Sequence, residues 1–276
     1  MSARAHHALL MAAGGGWRLD HAVYDGVSFT PTGLEDSGAI QGISFRPDGT
    51  RMFLEQTYGS GSRIYQLDLA VPWLITSASY SAGNYFSTAG QMGPGNGIAF
   101  SPDGLHFYGS DNASTLFQFD LSTAWDIRSA TYSGKSVNVG SSSNPQNLRF
   151  RPDGGRLIIS RHNSNSVVAV DLPTPWDLGG AAVAGSPLTT SSPTCLDMRS
   201  DGLRMWVARY DTSNSLNRYI TEFSLSAPWD LSAAVAGTTF SYAAQISQAQ
   251  CSFVRPDGEK MWLTGDARVI YQYSVG

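Results

Sequence analysis

The feature that most constrains this chain is a unit that recurs five times, its last copy finished by residues from the chain's own beginning. Each copy opens on an apolar pair and a tight turn: Ile43 to Gly49, Ile98 to Gly104, Leu148 to Gly154, Leu196 to Gly202 and Ser252 to Gly258. The turn aspartates Asp48, Asp103, Asp153, Asp201 and Asp257 follow one another at intervals of 55, 50, 48 and 56 residues. The second half of each copy runs to a tryptophan: Asp68 to Trp73, Asp120 to Trp125, Asp171 to Trp176 and Ser224 to Trp229. The fifth copy reaches Ser274 without one, yet Trp17 to Gly26 matches Trp125 to Gly134 in register. A repeat divided between two termini implies a closed ring.

Each unit reads as four short strands. Apolar residues two apart, as at Ile43 and Phe45, give the alternation of a first strand. Pro47-Asp48-Gly49 then makes a turn: proline presets φ, the aspartate bonds the following backbone and glycine accepts φ > 0. The second strand is expected over 51–56, the third over 64–69 and the fourth near 78–85. The fold class is therefore all-β: a single five-bladed β-propeller of four-stranded antiparallel blades over residues 17–276. Its last blade is closed by an N-terminal strand near 22–29. Residues 1–16 read as a separate arm, with an apolar centre at Ala8 to Ala13 and a Gly14–Gly16 link, or as a disordered tail.

Composition agrees with an all-β domain: 29 glycines, 11% aromatic and only 14% charged residues. A net charge of -4 leaves no electrostatic footprint for nucleic acid or an anionic membrane. No apolar run approaches the roughly 18 residues of a membrane span. Two cysteines give neither a disulfide framework nor a metal-ligand set. Cys195 and Cys251 each lie six residues before a turn aspartate, so they should share one height on neighbouring inner strands. They read as small buried thiols rather than a bridge, since a disulfide needs Cα atoms within about 7 Å.

The repeated residues read as scaffold: the five turn aspartates, Asp68, Asp120 and Asp171, and Trp17, Trp73, Trp125, Trp176 and Trp229. Function should lie where copies differ, on loops of one face. The loops between second and third strands contribute Asn112, His162, Tyr210 and Asp266. Seven residues before each turn aspartate stands a polar residue: Gln41, Asn96, Gln146, Thr194 and Gln250. In register, these five ring the channel mouth, to hold a ligand or to satisfy backbone groups at the strand starts. Three residues further on, the ring reads Ser44, Ala99, Arg149, Asp197 and Phe253, which places Arg149 and Asp197 on adjacent blades as a structural ion pair.

A propeller glycosidase needs one protonated acid and one base or nucleophile. Glutamates occur only at 35, 55, 222 and 259, none on an expected inner strand. Asp197 is the single inner-strand carboxylate, and a guanidinium partner would keep it ionised. A raised-pKa acid is thus not expected. The five histidines form no metal-ligand spacing, no nucleophile or nucleotide motif stands in context, and no cofactor is implied. The Asn112-Ala113-Ser114 sequon reads as chance.

The pattern carried by Phe45 to Phe53 and by Phe119 to Ile127 resembles repeats of uncharacterised propellers in bacteria and tailed bacteriophages. The likeness covers Trp17 to Gly276. Its Pro-Asp-Gly portion is also similar to WD40-like and lactonase-type repeats. His6 to Gly14 resembles the beginnings of some phage structural proteins. The resemblance implies a non-enzymatic virion or tail-tip module, made in the host cytoplasm, present in many copies and docked to other virion proteins through the arm. Its loop face would contact a host surface glycan or a virion protein. The alternatives are a hydrolase or lactonase acting at the channel mouth and a bacterial protein–protein scaffold.

Overall fold

The computed structural model describes residues 16–210, 218–265 and 267–276. Apart from Gly16, the expected arm lies outside the described residues, as does Asp266.

Among the described residues, twenty strands form five four-stranded sheets. Strand β1 (Val23–Phe29) precedes blade one, which is β2 (Ile40–Phe45), β3 (Arg51–Tyr58), β4 (Gly61–Leu69) and β5 (Ala78–Ser87). Blade two is β6 (Gly95–Phe100), β7 (His106–Asp111), β8 (Thr115–Leu121) and β9 (Ala130–Asn138). Blade three is β10 (Pro145–Phe150), β11 (Arg156–Arg161), β12 (Ser166–Asp171) and β13 (Ala182–Thr189). Blade four is β14 (Pro193–Met198), β15 (Arg204–Arg209), β16 (Tyr219–Ser224) and β17 (Val235–Ser241). Blade five takes β18 (Ala249–Val254), β19 (Lys260–Gly265) and β20 (Ile270–Ser274), and its fourth strand is β1. The inner strands β2, β6, β10, β14 and β18 touch in that order and return to β2, which closes the ring.

Closure works as the split repeat requires. Strand β1 runs antiparallel to β20, with Val23 opposite Ser274 and Phe29 opposite Ile270. The Trp17 amide donates to the Gly258 carbonyl at 2.9 Å, just as Trp73 does to Gly49 at 3.0 Å and Trp125 to Gly104 at 3.0 Å. All five of these tryptophans sit at positive φ, between 61° and 67°. That conformation is costly for a bulky residue, and it recurs because the indole lies flat on the turn glycine. A Cβ at Gly49, Gly104, Gly154, Gly202 or Gly258 would enter the ring of Trp73, Trp125, Trp176, Trp229 or Trp17 respectively. The indoles also bridge blades: Trp73 stacks on Trp262 of blade five, and Trp17 packs on Trp206 of blade four.

The aspartate that opens each second half has an equally concrete reason to recur. It holds the side chain that begins the second strand: Arg51 to Asp68 at 2.9 Å, His106 to Asp120 at 2.8 Å and Arg156 to Asp171 at 2.6 Å. Arg51 and Arg156 then donate to the tryptophan carbonyl of a neighbouring blade, Trp125 at 2.7 Å and Trp229 at 3.0 Å. Where copies four and five carry serine instead, the corner is rebuilt. Arg204 reaches Glu222 at 3.5 Å, and Lys260 reaches Asp25 of the closing strand at 2.7 Å.

Candidate functional site

Every inner strand carries an irregularity near its start, where pairing slips after Ile40, Gly95, Pro145, Pro193 and Ala249. A bulge breaks the two-residue alternation and re-aims a side chain. Here it turns Gln41, Asn96, Gln146, Thr194 and Gln250 into one cavity of about 180 Å³. Beside these bulges, hydroxyls of the preceding blade donate to backbone carbonyls. Ser110 donates to the Gln146 carbonyl at 3.0 Å, Ser160 to Thr194 at 2.9 Å and Thr264 to Ile40 at 3.0 Å.

Three further residues complete the lining: Asn144, His162 and Tyr210. His162 and Tyr210 occupy the same repeat position, and their backbone amides donate to the Asn144 and Ser192 carbonyls at 3.1 and 3.0 Å. Their rings meet edge to face with centroids 5.3 Å apart. Burial lowers the imidazole's pKa, partly opposed by the Ser192 and Pro193 backbone, so His162 is neutral at pH 7. Its Nδ1 is buried without a hydrogen-bond partner, and so is Oε1 of Gln146, a residue only 5% exposed. Asn96 donates its amide to Asn144 Oδ1 at 2.8 Å. Asn112 shares the repeat position of His162 but does not line the cavity; its backbone amide donates to Pro94 at 2.7 Å. Repeat register does not mark Asn144, because it precedes the bulge, in a connection whose length varies between copies.

Below the mouth the channel is plugged. Arg149 lies 2.8 Å from Asp197, the pairing that the register requires. Arg149 also donates to the Leu148 and Ser252 carbonyls, while Asp197 accepts from the Ser252 hydroxyl and the Val254 amide. Cys195 and Cys251 are buried free thiols, and burial raises the pKa of both. On the far side a funnel of about 260 Å³ opens, walled by the five turn tryptophans with Arg149 and Asp197 among its lining.

The expectation that no acid has a raised pKa is wrong. Glu55, on the second strand of blade one, is fully buried, and desolvation pushes its pKa up to about 8. The Ser62 hydroxyl and Gly97 amide moderate the rise, although neither carboxyl oxygen has a hydrogen-bond partner of sound geometry. The sequence signal was present: the equivalent positions hold Ser110, Ser160, Ala208 and Thr264. Among the described residues no group of three His, Cys, Asp or Glu side chains could hold a metal ion.

No family model and no curated protein matches the chain. Solved structures do match it in fold. A functionally unknown protein from Desulfotomaculum acetoxidans aligns with TM-score 0.53 and 14% identity, over 83% of this chain and 66% of that one. Proteins from Bacteroides uniformis and Bacteroides fragilis, each described as a "putative 6-phosphogluconolactonase", align with TM-scores of 0.52 and 0.51. Their identities are 15% and 10%, and the alignments cover 84% and 81% of this chain and 65% and 76% of theirs. The chain thus spans just under two thirds of the first two neighbours. The likeness is one of fold. It corrects the reading of the chain as a non-enzymatic virion attachment module: the three neighbours are bacterial proteins, two of them described as lactonases.

Proposed function

We propose that the protein is a hydrolase that opens a small, unphosphorylated, polyhydroxylated lactone in the polar channel mouth. The observation that carries the reading is His162, a neutral, half-buried imidazole whose Nδ1 has no partner, set among side-chain amides. A neutral imidazole is the general base that activates water at neutral pH. Water attacks the lactone carbonyl while His162 takes its proton. The imidazolium then returns the proton to the ring oxygen as the carbon–oxygen bond breaks, leaving the open hydroxy acid. The amides of Gln41, Asn96, Gln146 and Gln250 supply donors for the carbonyl oxygen and donors and acceptors for ring hydroxyls. The cavity is smaller than the roughly 300 Å³ of drug-sized sites, which suits a single sugar-acid ring.

The lining also speaks to the substrate's charge. None of its eight residues is a lysine or arginine, and its histidine is neutral. A phosphate dianion would be desolvated there without a cationic partner, which is costly. The substrate class is therefore the neutral lactone, in contrast to the phosphorylated sugar named in the descriptions of the two Bacteroides neighbours. Titrating acid release from D-glucono-1,5-lactone and from its 6-phosphate tests both parts. The reading expects faster turnover of the neutral lactone, reduced at least about a hundredfold in His162→Gln. Rates no higher than spontaneous hydrolysis for both lactones would end the lactonase reading.

A further inference from the structure

Glu55 and Gly95 depart from the repeat together. At the position of Glu55, three of the other four copies place a hydroxyl: Ser110 and Ser160 donate to the bulge carbonyls of Gln146 and Thr194 in the next blade, and Thr264 to the carbonyl of Ile40, just before its bulge. Blade one alone places a carboxyl there. Opposite it, the next blade carries Gly95 where the equivalent residues are Ile40, Pro145, Pro193 and Ala249. A Cβ at Gly95 would collide with Glu55 Oε1, and one at Gly42 would lie 2.9 Å from Oε2. The two glycines thus make the room that the larger group needs. The carbonyl equivalent to those of Gln146 and Thr194 is that of Asn96, in the bulge between Gly95 and Gly97.

We propose that Glu55 is a positioning residue for the mouth: as a neutral carboxylic acid it supplies the O–H that clasps the Asn96 bulge, and its ionisation releases that bulge. No guanidinium or ammonium of the described residues bonds to it. Its neighbours are apolar or neutral: Met92, Ile98 and Gly42 around the carboxyl, the Gly97 amide, and Ser62 on β4, whose hydroxyl accepts from the Gly95 amide at 2.7 Å. Ionisable groups on the packed elements are committed elsewhere. Asp111, opposite Gly95, accepts the amides of Ala113, Ser114 and Thr115. Arg63 of β4 pairs with Asp36, and Cys251 is a buried thiol whose pKa is pushed up to about 12. An ionised Glu55 would therefore repel the Asn96 carbonyl with only the Ser62 hydroxyl and the Gly97 amide, and no cation, to compensate. Asn96 also bonds Asn144, so the release would loosen two of the eight lining residues.

The inference concerns the geometry of the mouth and is tested without any substrate. The chain has only four glutamates, at 35, 55, 222 and 259. Selective ¹³C labelling of glutamate carboxyls therefore yields four resonances to follow by NMR between pH 4 and pH 10, alongside the ¹⁵N resonances of Asn96. With a midpoint near 8, neutral and ionised forms stand at about ten to one at pH 7 and about one to ten at pH 9. One carboxyl should titrate in that range and be absent from Glu55→Gln. The Asn96 resonances should move with the same midpoint in the parent protein and stay still in Glu55→Gln. Glu55→Thr, which takes the residue of blade five, should also abolish the Asn96 shift and serves if the glutamine variant does not fold. Four carboxyls all titrating below pH 6, or an Asn96 shift that persists in a folded variant, would overturn the proposal. Failure of lactone hydrolysis would leave it standing.

Discussion

The two ends of the channel are built from opposite kinds of residue. The funnel is walled by what the five copies share: a tryptophan folded onto a turn glycine, repeated around the ring. The mouth is lined by what they do not share, namely three glutamines, two asparagines, a threonine, a histidine and a tyrosine. Repetition marks positions where every blade needs the same turn. Divergence at a fixed register marks positions freed from that duty. The buried groups with unmet hydrogen-bonding capacity at the mouth, His162 Nδ1 and Gln146 Oε1, belong to the divergent set.

Substitutions should separate the ends by stability against activity. The largest effect is expected at Trp17, whose indole covers Gly258 and packs on Trp206. Trp17→Ala should cost about 3–5 kcal/mol in urea unfolding and loosen ring closure. Arg149→Ala comes next, because it leaves Asp197, only 2% exposed, without its cation; a loss of about 3–4 kcal/mol is expected in the same measurement. At the mouth the order reverses. His162→Gln should change stability by less than about 1 kcal/mol while removing turnover. Gln146→Leu should leave stability unchanged or improved, since it deletes an orphaned acceptor, and should weaken binding of the ring-opened acid by about tenfold. A mouth substitution that unfolds the ring, or a funnel substitution that spares it, would break the comparison.

Acid and base should also act with opposite sign. His162 has a lowered pKa, so below its ordinary 6.5 the unfolded chain takes up a proton before the folded one does. Its contribution to stability is lost as pH falls below about 6.5, and the acid limb of kcat/KM should fall with the same group. Glu55 has a raised pKa, so between 4.5 and about 8 the folded protein holds a proton the unfolded chain has released. Its contribution is lost as pH rises through that window, at no more than about 1.4 kcal/mol per pH unit. Thermal unfolding of the parent protein and Glu55→Gln across pH 5 to 9 should show the variant gaining on the parent as pH rises.

Much of this was legible in the repeat. Aligning the turn aspartates placed Gln41, Asn96, Gln146, Thr194 and Gln250 in one ring and Arg149 beside Asp197, because a propeller preserves strand register from blade to blade. Trp17 could be matched to the fifth copy for the same reason. Strand rank does not reveal Glu55, because the second strand is buried as deeply as the first. The clue was a lone carboxylate at a position of small hydroxyls, facing a lone glycine. Asn112 shared its repeat position with His162, but the direction of a loop side chain is not set by register. The chemistry was least legible: His162 owes its neutrality to burial, which comes from packing rather than spacing.

The most direct test uses reporters that both ends already carry. Side-chain amides of Gln41, Asn96, Gln146 and Gln250 mark the mouth, and the indoles of Trp17, Trp73, Trp125, Trp176 and Trp229 mark the funnel. In a ¹⁵N NMR titration with D-gluconate, the ring-opened product of the neutral lactone, the mouth amides should shift on one binding curve while the indoles stay still. Indole shifts with silent mouth amides would contradict the account and move the working site to the opposite face.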